Sequence, residues 1–590
     1  MKVYKDINSN LEALKLKEIE KTIYENITDE VVLPKIIPFK GVYSDMLYIK
    51  NNSVLFVKFM DTTEDVFMLL GEEILEILKE EYNTLKENMD EKFPHISFNY
   101  VFVFPYISGE LDDIDVSDFD LEKLIFEEEA EKLSKDITVL DKYISGSNKE
   151  IELSLFLYSI CNEYYVLTNE LNLNKEFKKI YFNSEEIEYR LCMMENEQIR
   201  DVNSINYGNE LIEGGSGTGK SSLILSRLIK LSKIYPHHRF LLLTYTKQQA
   251  NKYNEIIEIL KADGKNIEVF TLSSFIFRLA KVNNLVINYD LLKKNYDKSF
   301  QNIIKQIENT VENKRMYKGV FIDESENFTP EELKLVLKFL YNTKNISNIS
   351  MCRAYNINNN LNIFSDNIGE IEFNNKIQLK NNYIQGEGIL DFVNGYCNKA
   401  NKYIDSLNKN MPKDLFLNTK NKVRGNESVS IIRVEDLDDQ INAVIWELKY
   451  VINDLGYDYS DVAVVYPYNK KKLKNGKNIY FQYMLRKALE DAEIPYVYAD
   501  YSITSITNKE GITISNIYSI KSLSYKVVIF CELEMLYNQA LPEEYQDYNV
   551  NDFIGDLNKV YTAITRAEKE LRIIVSYTKE SSKIIDLIES

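Results

Sequence analysis

The sequence predicts an α/β protein with two parallel-sheet units, preceded by a small α+β unit. From about residue 191, apolar strand-like runs alternate with helical runs, an order typical of parallel strands joined by helices. The alternation resumes after a polar, turn-rich stretch at 401–428, which predicts the second unit. Before residue 105, short runs rich in β-branched and aromatic residues predict the strands of the α+β unit.

These patterns also predict the boundaries along the chain. A length of 590 residues suits about four units of roughly 150 residues each. We expect the α+β unit at 1–135 and a helical connector at 136–190. The first parallel-sheet unit is expected at 191–370 and the second at 371–590. Residues 110–132 are strongly acidic, which is typical of a solvated loop and helix face.

Composition excludes several classes of protein. Hydrophobic residues make up 45% and charged residues 27%, which excludes a globally disordered or collagen-like chain. The net charge of −20 argues against a protein coated in positive charge, although a local basic groove is compatible with it. Three histidines argue against a histidine-based metal site. The cysteines have no C-x-x-C spacing and are expected to be buried, reduced thiols. They are Cys161, Cys192, Cys352, Cys397 and Cys531.

The sequence contains no segment typical of secretion or membrane insertion. Its N-terminal residues lack the apolar run of a secretory signal. No stretch approaches the about 18 consecutive apolar residues that a membrane span needs. We therefore expect a cytoplasmic protein.

Residues 214–221 (GGSGTGKS) match the phosphate-binding pattern G-x-x-x-x-G-K-[ST] at every fixed position. The glycines allow consecutive backbone N–H groups to face phosphate oxygens, and the helix that follows favours negative charge at its N-terminus. Lys220 is expected to reach the β- and γ-phosphates, and Ser221 to ligate Mg²⁺. The alternative is a glycine-rich turn that binds no nucleotide. The predicted ATP contacts here are Gly214, Gly215, Ser216, Gly217, Thr218, Gly219, Lys220, Ser221 and Ser222.

A second signal lies downstream, where the apolar run at 320–322 ends in Asp323 and Glu324. A carboxylate at a strand end can hold Mg²⁺ through its water shell, which is the role expected of Asp323. The next carboxylate, Glu324, can orient and deprotonate an attacking water. The alternative is an ordinary strand followed by an acidic helix N-terminus.

Over roughly residues 191–580 the motifs resemble those of the UvrD/Rep-type superfamily 1 helicases. The resemblance implies two RecA-like lobes that clasp ATP. It assigns adenine recognition to Gln198, upstream of the phosphate loop, and adenine stacking to Tyr383. Near the C-terminus, YTAITRA is close to the family's YVALTRA, so Arg566 corresponds to the arginine that reaches the γ-phosphate across the lobes and acts in catalysis. The alternative is an arginine on a helix surface.

Two further segments bear on nucleic-acid binding. The run LLLTYTKQQA at 241–250 resembles the family's LLLTFTNKAA, which implies that Thr244 and Tyr245 contact single-stranded DNA. An aromatic side chain there can stack on any base, and the alternative is a tyrosine buried at a strand end. A lysine cluster could track a phosphate backbone, or simply form a solvated loop. Its first members are Lys470, Lys471 and Lys472.

Several family motifs are altered. The segment at 351–356 lacks the acid and glutamine of the third motif, Ile384 replaces an arginine, and Ser522 and Ser524 replace a glycine and a glutamate. The residues that bind ATP and Mg²⁺ therefore persist, while several that couple nucleotide state to the second lobe do not. Two functions follow: an ATP-driven helicase or translocase on single-stranded DNA, or an ATP-gated switch that binds a partner and has weak or no unwinding activity.

The N-terminal unit resembles the nuclease-related domain that precedes some helicases of this type. Such a nuclease needs an Asp, and then an acid two residues before a Lys, to hold a metal. Asp45 and Lys58 fit, but Phe56 stands where the second acid belongs. We therefore expect a degenerate domain that serves as a scaffold or binds a protein partner. A nuclease-containing defence or repair machine rests on analogy alone.

Overall fold

The computed structural model describes most of the chain. Within the described part, every helix lacks either the length or the apolar composition of a membrane span. The described residues are 16–26, 31–109, 119–148, 153, 156–157, 159–161, 165–168, 176–182, 187–203, 208–259, 266–310, 316–340, 349–355, 373–407, 415–423, 427–468, 471–472, 478–479, 481–499, 511–521, 523–536, 550–576 and 583–589.

The N-terminal unit is a five-stranded mixed sheet in the order β1-β2-β3-β4-β5. β1, β2 and β3 pair antiparallel, whereas β3, β4 and β5 pair parallel. Most residues of β2 and β3 are buried, because the sheet is covered on both faces. The strands are β1 (Val31–Ile36), β2 (Ser44–Lys50), β3 (Ser53–Phe59), β4 (Phe98–Val103) and β5 (Leu124–Ile125). The helices are α1 (Glu18–Asn26), α2 (Glu64–Lys92) and α3 (Glu127–Lys135).

The helical connector predicted at 136–190 is wrong in its second half. After a short 3-10 helix at Ile137–Tyr143, three antiparallel strands form a separate sheet in the order β6-β8-β7. In IEYRLCM, the sequence of β8, apolar and charged residues alternate with a period of two, which favours a strand over a helix. The strands are β6 (Tyr165–Thr168), β7 (Glu176–Phe182) and β8 (Ile187–Met193).

The segment before these strands is part of the protein core. Its buried side chains belong to one apolar cluster that also contains residues of the N-terminal sheet and of the parallel sheet that begins at residue 208. They include Leu153, Phe156, Leu157 and Ile160.

The first parallel sheet has six strands in the order β11-β10-β12-β13-β9-β14, all parallel. Its strands are β9 (Gly208–Gly214), β10 (Phe240–Thr244), β11 (Ile267–Thr271), β12 (Gly319–Ile322), β13 (Ile349–Tyr355) and β14 (Asn375–Leu379). Its helices are α4 (Asn196–Asn203), α5 (Lys220–Ile234), α6 (Lys247–Ile259), α7 (Leu272–Val282), α8 (Tyr289–Lys294), α9 (Tyr296–Thr310) and α10 (Pro330–Leu337). β10 is buried along its whole length, which explains its continuous apolar run.

The boundary predicted at residue 370 is one strand too early. β14 pairs with β9 from Asn375 to Leu379 and is therefore part of the first sheet. Its sequence, NKIQL, contains only two apolar residues, and its side chains alternate between half-buried and exposed positions. An edge strand of this kind gives a weak signal in the sequence.

The second parallel sheet also has six parallel strands, in the order β17-β24-β23-β18-β22-β21. The two sheets confirm the predicted mixed α/β class with parallel sheets. A short pair, β15 (Asn381–Asn382) and β16 (Lys420–Asn421), precedes it, and β19 (Lys471–Lys472) pairs with β20 (Asn478–Ile479). The sheet strands are β17 (Ser428–Val434), β18 (Val462–Tyr466), β21 (Tyr496–Ala499), β22 (Ile512–Asn516), β23 (Tyr525–Phe530) and β24 (Ala567–Ser576). The helices are α11 (Glu387–Leu407), α12 (Leu437–Lys449), α13 (Phe481–Asp491), α14 (Ile517–Ile520), α15 (Val550–Ile564) and α16 (Lys583–Glu589).

Candidate active site

The loop at 215–219 joins β9 to α5 at the carboxyl end of the first parallel sheet. Gly217 and Gly219 have φ angles of 74° and 83°, which favour glycine. A Cβ atom at Gly217 would lie 2.9 Å from the side chain of Asn382, and one at Gly219 would lie 2.8 Å from Nε2 of Gln198. The glycines therefore permit both the curl of the loop and the close approach of its neighbours.

Lys220, the first residue of α5, extends its side chain back along this loop. Its Nζ donates hydrogen bonds to the carbonyl oxygens of Gly214 and Gly215, at 2.9 Å and 2.6 Å. Burial lowers the pKa of Lys220 to about 8, against the opposing attraction of Glu326 and Asp323. An anion in the loop would favour the charged ammonium form and raise this pKa again.

Ser221 lies in the first turn of α5, Asp323 directly follows β12, and their side chains are in contact. Ser221 Oγ donates to Asp323 Oδ2 at 2.7 Å, and the Tyr253 hydroxyl donates to the same oxygen. Gln249 Nε2 lies 3.5 Å from it. Hydroxyl and carboxylate oxygens are the ligand types that Mg²⁺ prefers, so this pair fits the metal that the sequence predicts.

Glu324 follows Asp323 in a left-handed backbone conformation, with φ 54°. The residue is half-buried, but its Oε2 atom is inaccessible to solvent and has no hydrogen-bond partner among the described residues. Burial raises the pKa of Glu324 to about 7; the charges of Lys521 and Arg566 oppose this shift, and that of Asp323 adds to it. A carboxylate with a pKa near neutrality can act as a general base.

Residues beyond the first sheet converge on Ser216 of the loop. Arg566 Nη2 donates to Ser216 Oγ at 2.5 Å, and the Ser216 N–H donates to the Tyr561 hydroxyl oxygen at 2.9 Å. Asn382 Nδ2 donates to the Ser216 carbonyl oxygen at 3.0 Å. We call Ser216, Asn382, Tyr561 and Arg566 the Ser216 junction. Through it, the end of α15 and the residue before β24 contact the phosphate loop.

A second contact between the two parallel-sheet regions involves Lys521. Its Nζ donates to Asn327 Oδ1 at 2.5 Å, three residues after Glu324. Its carbonyl oxygen accepts a hydrogen bond of 2.6 Å from Arg566 Nη1. Burial lowers the pKa of Lys521, while Glu326 and Glu324 oppose that shift. Cations from the second region therefore face carboxylates from the first.

Gln198 and Tyr383, the two residues that the resemblance assigns to adenine, flank the same corner of the loop. A Cβ atom at Gly219 would lie 2.8 Å from Gln198 Nε2 and 3.9 Å from Tyr383 Cδ2. The Tyr383 N–H donates to the Gly217 carbonyl oxygen at 2.9 Å. Gln198 Oε1 accepts a hydrogen bond of 3.1 Å from the Glu195 N–H.

The residues predicted to contact nucleic acid differ in exposure. Thr244 is fully buried, whereas Tyr245 is 44% exposed, so the alternative of a buried tyrosine at this strand end is wrong. Only Tyr245 of the pair presents its side chain to solvent. Lys471 and Lys472 lie in β19, and Lys470 lies outside the described residues.

In the N-terminal unit, Asp45 is fully buried and contacts two ammonium groups. Lys35 Nζ lies 2.6 Å from its Oδ1 and Lys17 Nζ lies 3.2 Å from its Oδ2. Burial raises the pKa of Asp45, but these cations outweigh that effect and the net shift is downward. Phe56 is buried in the core, and Lys58 forms an ion pair with Glu81. In this arrangement lysine ammonium groups neutralise the carboxylates of Asp45 and Glu81.

Sequence reasoning did not identify Tyr253 or Tyr561 as site residues. Tyr253 follows Gln249 by four residues on α6, so both face the same side of that helix and both approach Asp323. That spacing could have suggested the pair. Tyr561 is the first residue of the YTAITRA motif, which could have suggested it, although its hydroxyl contact joins residues 345 positions apart in the chain.

Comparison with known proteins is consistent with this geometry. Residues 194–553, more than half of the 590-residue chain, match the family model described as the UvrD/REP helicase N-terminal domain. None of the curated proteins matches the chain significantly. The matched family is one of ATP-dependent nucleic-acid helicases. The chain therefore belongs to the UvrD/REP helicase family.

Proposed function

We propose that the protein is a two-lobed, ATP-hydrolysing helicase or translocase that acts on single-stranded DNA. The first RecA-like lobe would extend to the end of β14, and the second would follow it. The observation that carries the proposal is the contact of 2.5 Å between Arg566 and Ser216, because it joins an arginine near the C-terminus to the phosphate loop. Catalytic arginines that reach across a nucleotide cleft act from this kind of position.

In this proposal each residue of the cleft has one task. Mg²⁺·ATP, when bound, would supply the phosphoanhydride bond and the metal charge that polarises it. The loop N–H groups and Lys220 would bind the phosphates, and Ser221 and Asp323 would hold the metal. Glu324 accepts a proton from the attacking water at Oε2. Arg566 stabilises the negative charge that develops on the transferred phosphoryl group.

The alternative proposal is an ATP-gated switch with little turnover, and one observation favours it. Ile384, where the family has a second arginine, donates only a backbone hydrogen bond, of 3.0 Å, to Asn382 Oδ1. In this alternative, ATP would change how the two lobes meet at the Ser216 junction, and the N-terminal unit would bind a protein partner. Its signature would be nucleotide-dependent partner binding with negligible hydrolysis.

The rate of ATP hydrolysis with and without single-stranded DNA at low salt separates the two proposals. A helicase or translocase should hydrolyse ATP faster when the strand is present. If saturating single-stranded DNA leaves the rate of ATP hydrolysis unchanged and that rate is negligible, the switch proposal is favoured instead. Replacing Lys220 with Ala in both assays shows whether any measured hydrolysis belongs to this site.

Replacing Lys220 with Ala should remove tight ATP binding, because the cation nearest to the phosphates is lost. A charge-assisted contact of this kind is worth about 1.5–3 kcal/mol, or roughly 10- to 150-fold in Kd. Calorimetric titration with a non-hydrolysable ATP analogue would measure the change. Lys281→Ala, at an exposed lysine near the end of α7, is the matched control and should bind like the wild type. A wild-type Kd for Lys220→Ala would contradict the proposed phosphate site.

Replacing Tyr245 with Ala should weaken binding of single-stranded DNA, because the exposed ring can no longer stack on a base. Stacking is worth about 1–3 kcal/mol per base, so the Kd should rise about 5- to 150-fold. Fluorescence anisotropy with a labelled oligothymidine would measure it. Tyr245→Phe keeps the ring and should bind normally, as should Tyr483→Ala at another exposed tyrosine (71% exposed). Equal affinities for all four proteins would exclude Tyr245 from the DNA path.

A further inference from the structure

One face of α2 fixes this long helix on the N-terminal sheet. Phe67 and Leu75 are buried, and the ring of Phe67 lies 5.1 Å from that of Phe104. Farther along the helix, Glu81 accepts hydrogen bonds from the Tyr43 N–H at 2.8 Å and from the Tyr100 hydroxyl at 3.0 Å. These contacts determine which side of α2 faces away from the protein.

Five large apolar residues of α2 are exposed; four of them, all except Met68, share the outward side, and we call these four the α2 stripe. Relative to the first, they are spaced by three, four and eleven residues, which places them on one face of a helix. The helix is kinked at Leu70, where φ is −127° and ψ is 15°. Single exposed leucines are ordinary, but several exposed apolar side chains on one face of a helix are typical of an interaction surface. The stripe consists of Val66 (45% exposed), Leu69 (80%), Leu70 (40%) and Ile77 (62%).

The charge around the stripe restricts what can cover it. Residues 64–77 contain five acidic residues and no lysine or arginine, a local charge of −5. An anionic membrane would be repelled by this rim, and a second copy of the chain would bring the same acidic rim against it. A cationic partner would be attracted. The acidic residues are Glu64, Asp65, Glu72, Glu73 and Glu76.

We propose that the α2 stripe docks a basic amphipathic helix of a partner protein. From Val66 to Ile77 the stripe is roughly 17 Å long, which matches about three turns of a partner helix. The partner's apolar residues would recur at helical spacing and contact Leu69 and Ile77, and its flanking lysines or arginines would face Glu73 and Glu76. This inference does not depend on the nucleotide site or on its activity.

The test uses the full-length protein and a labelled peptide of about 18 residues, long enough to form a helix. The peptide contains only leucine and lysine, with leucines at i, i+3, i+4 and i+7, and its control has the same composition in scrambled order. We expect the scrambled peptide to bind at least about tenfold more weakly. The double variant Leu69→Ser/Ile77→Ser should lose at least about tenfold in affinity for the amphipathic peptide. Val286→Ser, at a residue 90% exposed elsewhere, should not change binding.

A second variant, Glu73→Lys/Glu76→Lys, separates charge from apolar contact. It should weaken binding at low salt, and the difference from wild type should shrink at high salt. A photo-crosslinker on the peptide should label residues 64–77. Equal binding of both peptides, no effect of either double variant, or labelling elsewhere would overturn the proposal. Stripe-dependent dimerisation, or stripe-dependent sedimentation with phosphatidylglycerol vesicles, would overturn it in favour of another occupant.

Discussion

Replacing Arg566 with Ala is expected to lower the rate of ATP hydrolysis by about 10³- to 10⁵-fold, the range seen where such an arginine dominates catalysis. Arg566 is only 6% exposed, and its guanidinium is held by Ser216 on one side and by the Lys521 carbonyl oxygen on the other. A planar guanidinium that is already oriented stabilises mainly the transition state, so kcat should fall far more than ATP affinity. Phosphate release and equilibrium ATP binding, measured side by side, would show this split.

Two controls accompany this prediction. Arg566→Lys keeps the charge but loses the planar guanidinium with its two parallel donors, and should recover only part of the lost activity. Arg486→Ala removes an exposed arginine of α13 and should hydrolyse ATP normally. If Arg566→Ala kept its rate within about tenfold of the wild type, a dominant catalytic arginine would be excluded. Arg566 would then contribute only to the structure of the junction, and the switch proposal would gain support.

The Ser216 junction also indicates how ATP binding would be coupled to the contact between the two parallel-sheet regions. The Ser216 N–H donates to Tyr561, Arg566 donates to Ser216, and Lys220 donates to the loop carbonyl groups. Phosphate oxygens would compete with protein oxygens for each of these donors. Binding would therefore exchange contacts inside the loop and contacts between the sheets at the same time. Such an exchange would favour a change in how the two parallel-sheet regions meet, which both proposed functions require.

Local motifs were sufficient to predict that Ser221 and Asp323 lie close together. The phosphate loop and the Asp323-Glu324 pair each follow an apolar strand, and parallel strands bring their carboxyl ends to one edge. The contact of 2.7 Å between Ser221 and Asp323 agrees with this reasoning. Of the residues that contact Ser216, Arg566 was expected near the phosphate site from its motif, whereas the contact of Tyr561 was not predicted because it depends on tertiary packing.

The misplaced elements have a similar cause. β6, β7 and β8 replace part of the predicted connector, and β14 extends the first sheet past residue 370. An edge strand such as β14 buries little apolar surface and therefore carries few apolar residues. Its hydrogen bonds to β9 are made by the backbone, which leaves no pattern in the side chains. Hydrophobic periodicity identifies central strands far better than edge strands.

Replacing Glu324 with Gln is expected to lower ATP turnover by about 10²- to 10⁴-fold, because the proposed general base is lost. In the wild type, kcat/KM should rise with pH through about 7, since Glu324 accepts a proton only when it is charged. It should fall again above about 8, as Lys220 loses its proton. Glu324→Gln should remove the acid limb of this profile and leave the alkaline limb. A variant that keeps both limbs would exclude Glu324 as the titrating base.

The pH dependence of stability gives an independent measure of the pKa of Glu324. Its folded-state pKa of about 7 lies above the ordinary value of 4.5, so between these two values the folded protein binds more protons than the unfolded one. The contribution of Glu324 to stability should therefore be lost as pH rises from about 4.5 to about 7. Glu324→Gln should flatten this part of the denaturant-unfolding profile, whereas Glu493→Gln, at an exposed glutamate, should not. A loss of the acid limb without this flattening would mean that the kinetic pKa belongs to another group.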